Sequence, residues 1–246
     1  MYRIDLNCDM GEGMAYDGEI MPCISSANIA CGYHAGSPEI MQRTVETAVL
    51  YGVAIGAHPG FEDKVNFGRT EMEMPSTQLY DLVARQIGLL QAVCLAAGTR
   101  LYHVKPHGAL YNMAARDMSM SRTIAAAVKE ADKGLVLFGL SGSCLIDAAE
   151  EAGLRTASEV FADRTYQPDG SLTSRKLPGA MIENEDMAIA QVLGMIRQGT
   201  VLSLSGEVVP IRAETVCIHG DGAHAVDFAQ RIRQTLKNNG IEIKTP

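Results

Sequence analysis

Residues 103–110, HVKPHGAL, place two histidines and a lysine within five positions and then turn on proline and glycine. Imidazole changes charge near neutral pH, and a lysine binds an anion or, with a lowered pKa, acts as a base, so the run suits proton transfer beside a negatively charged substrate. Near the start, IDLNCDMGE sets Asp5, Asn7 and Asp9 at alternate positions, which on a strand puts all three on one side. If that side is a barrel interior, the carboxylates either pair with Lys or His or belong to a site. Further polar clusters are Asn28 and His34 in NIACGYHAG, His58 in GAHPG, Ser141 and Ser143 in GLSGS, Asp163, Arg164 and Tyr166 in FADRTY, and His219 and Asp221 in HGDG. Taken singly, a histidine at a strand end is more often structural, Lys105 has a solvated loop residue as its lesser alternative, and Ser141 reads at least as well as a helix N-cap. Five of the six histidines falling in this one set, with only His224 outside, favours a site.

The elements that must position these groups repeat in one order: amphipathic helix, glycine, short apolar strand, polar cluster. Gly52, Gly98 and Gly153 stand where a left-handed residue ends a helix. Helical periodicity puts Leu79, Leu82, Val83, Ile87, Leu90 and Cys94 on one face, and again Ile189, Val192, Leu193 and Ile196, and Phe228, Ala229, Ile232 and Leu236. Ser37 followed by Pro38 reads as an N-cap with proline at the first helical position. Strands are expected at about 3–8, 25–30, 53–57, 101–105, 134–139, 156–161 and 215–219. Seven such units predict an α/β fold, a distorted or incomplete (β/α) barrel with about seven parallel strands, with a doubly wound open sheet as the alternative. In either fold the carboxyl ends of the strands share the site-bearing face, and that is where the polar clusters fall. No linker or repeat divides residues 1–246, which read as one domain. Residues 161–182, rich in Gly, Pro, Ser and Asp, read as a functional loop.

The totals bound the partners. Apolar residues make up 47% and the formal charge is −8, so a core is available, while nucleic acid or an anionic membrane finds no broad basic face. A small cationic pocket for an anionic substrate remains compatible. No run of about 18 apolar residues predicts a membrane span. The six cysteines, at 8, 23, 31, 94, 144 and 217, have no CxxC spacing, and no secretory signal opens the chain; reduced thiols in a cytoplasmic protein are the expectation. Walker, dinucleotide, nucleophile-elbow and HExxH motifs are absent.

In order along the chain, IDLNCDMGE, SANIACGYHAGSP, GAHPGFED with FGR, HVKPHGALYN, FADRTYQPDGSLTSR and CIHGDG resemble the LamB/YcsF family over residues 4–222. Departures are Thr70 in place of a second arginine after FGR, Gly222 in place of asparagine after HGD, and a shorter, less aromatic GEGMAYDGEIMP. The resemblance implies a barrel akin to the glycoside hydrolase and deacetylase class, and opening of the 5-oxo-L-proline lactam to L-glutamate coupled to ATP hydrolysis, together with partner subunits B and C. ATP, with Mg²⁺ accompanying it, is the implied co-substrate. Activating a lactam by phosphoryl transfer needs cations for the substrate carboxylate and phosphoryl group and a base for water. Lys105, Arg69, Arg164 and Arg175 are assigned to the anions, with Asn7 and His219 beside them. Asp9, His34, His58 or His107 would do the acid–base work, and Asp163 and Asp221 would orient these groups or Mg²⁺. Two other readings stand: a metal-dependent amidase or deacetylase with Asp9, His34 and His58 as ligands, and a non-catalytic subunit that binds a small acid.

Overall fold

The strand β1 (Arg3–Met10) shows why the chain closes into a barrel. Ile4, Leu6, Cys8 and Met10 are buried in the main apolar core, and the intervening Asp5, Asn7 and Asp9 turn the other way. The computed structural model describes residues 2–218 and 224–246. After β1 come α1 (Asp17–Ile20), a 3₁₀ turn (Met21–Cys23), β2 (Ser26–Ala30), α2 (Pro38–Tyr51), β3 (Ala54–His58), α3 (Ser76–Ala96), β4 (His103–Val104), α4 (Gly108–Ala114) and α5 (Met118–Ala131). The chain continues through β5 (Val136–Leu140), α6 (Cys144–Glu151), β6 (Arg155–Phe161), α7 (Glu185–Gln198), β7 (Thr200–Leu202), β8 (Val208–Pro210), β9 (Thr215–Ile218), α8 (Ala225–Asn238) and β10 (Glu242–Ile243).

Strands β1, β2, β3, β4, β5, β6 and β9 pair in parallel in that order, and β9 pairs back onto β1. The seven expected strands are therefore present, and the barrel is closed rather than open along one edge. Strand β10 adds a parallel pair to the start of β1, and β7 with β8 forms a separate antiparallel hairpin that the periodicity did not announce.

The helix signals act as expected. Ser37 Oγ accepts from the Ile40 amide, and Gly52, Gly98 and Gly153 take φ of 66°, 69° and 75°. The α6 cap is Ser143 rather than Ser141, whose Oγ instead accepts from the Arg212 amide and ties the β5 end to the segment before β9. Helix α3, 21 residues long, is apolar enough to cross a membrane by length and composition alone. Its buried stripe of Leu79, Val83, Ile87, Leu90 and Cys94 joins the main core, and the helix packs on β3 and α5, as a covering helix of the barrel does. All six cysteines are free thiols.

The barrel interior is partly polar, with a small apolar wall of Val136, Phe138 and Ala157 set apart from the main core. His103 lies stacked on Phe138, with ring centroids 4.2 Å apart. That ring occupies space that any side chain at residue 56 would need, since a Cβ on Gly56 would sit 2.0 Å from His103 Nε2.

Candidate functional site

Asp5, Asn7 and Asp9 do line the interior, in successive layers. At the amino-terminal end Asp5 is fully buried and accepts from Ser25 Oγ (2.6 Å), Ser26 Oγ (2.7 Å) and Thr215 Oγ1 (2.5 Å). Burial outweighs these donors and lifts its carboxyl to about 6. Its role is structural.

One layer up, Asn7 donates to Glu159 Oε1 (2.9 Å) and Thr215 Oγ1 (2.6 Å) and accepts from Asn28 Nδ2 (2.7 Å). Lys105 Nζ enters this layer from the end of β4. It reaches Asn7 Oδ1 at 3.1 Å, Asp9 Oδ1 at 3.0 Å and Glu159 Oε1 at 2.7 Å. An ammonium has three hydrogens, and these three oxygens with Cys217 Sγ at 3.2 Å already outnumber them. Burial pulls the lysine down, but Asp9 and Glu159 hold it well above the usual lysine range. Lys105 is thus neither a lowered-pKa base nor a free anion ligand; it neutralises two carboxylates at the floor of the site. Glu159, fully buried on β6, also accepts from Tyr111 Oη at 2.6 Å. Sequence reasoning missed both Glu159 and Tyr111, although a carboxylate inside the apolar run TASEVF was a visible signal.

Above this floor Asp9 is one-fifth exposed, accepts from Asn28 Nδ2 at 2.9 Å, and lies 3.3 Å from His58 Nε2 through its other oxygen. Burial would raise Asp9, but His58 and Lys105 keep its carboxylate well below the ordinary range. His58 is displaced upward: burial opposes its charge, and Asp9 and then Glu12 overcome that. An anionic Asp9 beside an imidazole that readily holds a proton is an acid–base pair opening on solvent.

His34 and His107 stack at 3.8 Å with their planes 4° apart, and both meet His58 edge-on. Burial, then the His58 charge, push each down to about 3, so both are neutral. Glu12 joins them with Oε1 3.1 Å from His34 Nε2 and 3.3 Å from His107 Nδ1, and burial, then Asp9, raise its carboxyl. The ligand atoms of Glu12, His34, His58 and His107 all lie within 4.8 Å of one another. Among the described residues this is the set able to hold a metal. Asp9, a ligand beside His34 and His58 only in the alternative metal-dependent reading, is taken up by Lys105 and Asn28, and Glu12, on the loop after β1, is the carboxylate grouped with the histidines. Nothing in the spacing of DMGE marks Glu12, because only the return of that loop over the barrel mouth brings it to the histidines.

The FGR turn closes one side of this cluster. Phe67 sits at φ 57°, a left-handed conformation costing a non-glycine residue about 1–2 kcal/mol. Its carbonyl accepts from His107 Nε2 at 2.8 Å, and its ring meets His34 and His107 edge-on. Arg69 Cζ lies 5.1 Å from the Phe67 ring centroid, leaving the guanidinium at the mouth.

These groups open into a cavity of about 1230 Å³ at the carboxyl ends of the strands. Its described lining holds six cations (Arg69, Lys105, Arg116, Arg164, Arg175 and Lys176) against four carboxylates (Asp9, Glu12, Glu71 and Asp169). Lys105 is paired with Asp9 and Glu159 and Arg116 with Glu71, so the chamber keeps a modest positive excess in a chain of charge −8. The 161–182 loop supplies part of the wall, as expected. Arg164 is spent mainly on that loop: it is buried, and its guanidinium donates to Thr173 O at 2.5 Å and Ala180 O at 3.4 Å. Burial and then Arg175 lower it to about 10. Asp163 is placed off the cavity lining, its carbonyl accepting from the Ile182 amide at 2.8 Å. Arg175 lines the cavity. His103 is a neutral interior residue, donating from Nε2 to Asn28 Oδ1 at 2.7 Å, and burial takes it down to about 3. His219, Asp221 and Gly222 lie outside the described residues.

Residues 4–246 match the LamB/YcsF family. The chain is 55% identical to the A subunit of 5-oxoprolinase from Tolumonas auensis over 249 residues, covering 99% of each. It is 54% identical to that of Bacillus subtilis over 248 residues, covering 99% of this chain and 96% of the relative. Among solved structures, the lactam utilization protein from Thermus thermophilus superposes with a TM-score of 0.92 at 43% identity, over 99% of this chain and 100% of that one. A family 4 carbohydrate esterase from Streptomyces lividans gives 0.52 at 13% identity, covering 98% and 91%. That last likeness is one of fold alone, and it agrees with the deacetylase-like barrel that the family resemblance implied.

Proposed function

The chain belongs to the LamB/YcsF family, and from that membership we propose that it is the lactam-handling subunit of an ATP-dependent 5-oxoprolinase. The observation that carries the reading is the full-length identity of 55% and 54% to proteins named as the A subunit of 5-oxoprolinase. The cavity adds chemical support. The carboxylate of 5-oxoproline finds cations at Arg69 and Arg175, with the lactam ring directed toward Asp9 and His58 at the floor. A lactam is a poor electrophile, and transfer of the ATP γ-phosphoryl group to its oxygen makes the ring carbon attackable by water. Asp9, held anionic by Lys105, takes the water's proton, directly or through His58. Expulsion of the ring nitrogen then opens the ring as an acyl phosphate, and a second water releases phosphate and leaves glutamate. The proton on His58 is available to that departing nitrogen.

The chain has no phosphate-cradling glycine loop of the P-loop type. ATP, with its Mg²⁺, therefore meets the lactam at an interface with the partner subunits B and C. Glutamate formation from 5-oxoproline tests the reading, measured for the chain alone and with its two partners, each with and without ATP. Glutamate only with partners and ATP together supports it. Glutamate from the chain alone without ATP points instead to a stand-alone amidase built on the Glu12–histidine cluster. No glutamate from an associated, folded complex overturns it.

A further inference from the structure

We propose that Glu12, His34, His58 and His107 form a binding site for one divalent cation of the transition-metal class, Zn²⁺ foremost. Two of the ring tautomers are set by fixed outer partners. His58 Nδ1 lies 2.7 Å from the Lys105 carbonyl and His107 Nε2 lies 2.8 Å from the Phe67 carbonyl. A carbonyl oxygen only accepts, so each of these outer nitrogens carries a hydrogen. Once His58 gives up its proton to make way for a metal, its Nε2 and His107 Nδ1 are both bare lone pairs, and they lie 2.9 Å apart. Glu12 Oε1 adds a third electron-rich atom, 3.3 Å from His107 Nδ1 and 3.8 Å from His58 Nε2. Inner nitrogens left bare while the outer ones donate to fixed acceptors is the arrangement that orients metal-ligating histidines.

Such a gathering needs a cation. A proton is the smallest candidate, but one proton serves one donor pair. It leaves Glu12 against at least one bare nitrogen. A single ion serves His58 Nε2, His107 Nδ1 and Glu12 Oε1 together, and His34 Nε2 completes the set once its ring turns out of the parallel stack on His107. Ligand bonds of about 2.0–2.1 Å in a tetrahedron put donor atoms roughly 3.4 Å apart; four of the six separations, 2.9, 3.1, 3.3 and 3.8 Å, scatter about that value, and the whole set lies within 4.8 Å. Three imidazoles and one carboxylate suit Zn²⁺ and its neighbours, whereas Ca²⁺ and Mg²⁺ want oxygen donors. The surroundings also leave room for the rings alone. A Cβ on Gly60 would lie 2.7 Å from His34 Nδ1, and one on Gly68 2.7 Å from His34 Cβ. Glu12 is the one ligand not fully buried and sits on a loop, so it marks the side on which a substrate oxygen would approach the ion. The proposal rests on side-chain geometry and its test reads metal rather than glutamate; with the ion bound, His58 Nε2 is a ligand, and the acid–base work of the lactam reading falls to Asp9.

The chain, purified without a metal-affinity tag, is analysed for metal content, then stripped with chelator and titrated with Zn²⁺ and Co²⁺. The expected result is about one ion per chain, a visible Co²⁺ absorption band and a rise in Tm on metal addition. His34→Gln and His107→Gln each weaken binding by at least ~10-fold, while His224→Gln, at the start of α8, leaves it unchanged. A folded wild-type chain that shows no bound metal, no Co²⁺ band and no Tm shift overturns the proposal. So does binding that the two histidine variants leave intact. Either result would identify the cluster as a proton-sharing network.

Discussion

Replacing Lys105 with methionine removes the one cation that the barrel floor provides for two carboxylates. In the native chain Nζ lies 3.0 Å from Asp9 Oδ1 and 2.7 Å from Glu159 Oε1, and Glu159 is fully buried. Methionine nearly matches the volume of the lysine stem, so packing changes little and the loss is electrostatic. Breaking one partner out of a buried ion pair costs about 3–5 kcal/mol. For a chain of this size each kcal/mol shifts Tm by roughly 2–4 °C, giving a drop of about 6–20 °C at neutral pH. The variant should recover part of that loss on acidification, because an unpaired buried carboxyl takes up a proton in the folded state and destabilises most when forced to ionise. Adding Glu159→Gln should return about 0.5–3 kcal/mol, a coupling that independent sites would not show. Urea and thermal unfolding of wild type, both single variants and the double variant at two pH values measure all of this. A single-variant loss below about 1 kcal/mol, or additivity within about 0.5 kcal/mol, would refute the floor as a coupled charge cluster.

Three further outcomes follow from the same geometry. Asp5 has a folded pKa of about 6 against an ordinary 3.8; the folded state therefore binds the extra proton between these values, and its stability should fall by roughly 3 kcal/mol as pH rises through that window. Asp5→Asn should flatten this segment of the pH–stability curve, and an unchanged slope would assign it elsewhere. Tyr111→Phe strands one oxygen of buried Glu159 and should cost about 1–3 kcal/mol in urea unfolding. Arg69→Gln should raise KM for 5-oxoproline by roughly 10-fold or more in the assembled enzyme with a smaller effect on kcat, as loss of a charged contact made equally in ground and transition states does.

The barrel was legible because its strands are short apolar runs closed by glycine-terminated helices, so β1, β2, β3, β5, β6 and β9 lie within two residues of their expected places. The alternation of Asp5, Asn7 and Asp9 correctly placed them on one side, and three of the five strand-end histidines, His34, His58 and His107, converge. What pattern alone could not reveal depends on distances across the barrel. Glu159 takes its role from Lys105, a residue 54 positions away, and that pairing turns Lys105 from an anion ligand into a counter-ion. Glu12 becomes a neighbour of three histidines only through the path of its loop. Arg164 looked like a substrate cation, but its donors go to backbone carbonyls of the loop that follows it. Ser141 lost the cap of α6 to Ser143 by a two-residue shift at an element boundary, and the β7–β8 hairpin, with strands of three residues each, is too short for a period to register.

The proposed function turns on Asp9, held anionic between Lys105 and His58, acting as the base in lactam opening. Asp9→Asn keeps the shape and the hydrogen bond to Asn28 within reach but removes the negative charge. Assembled with its partners and supplied with ATP and 5-oxoproline, the variant should form glutamate about 10²–10⁴-fold more slowly than wild type while still associating and unfolding cooperatively. A folded, assembled Asp9→Asn enzyme with wild-type turnover would contradict the account.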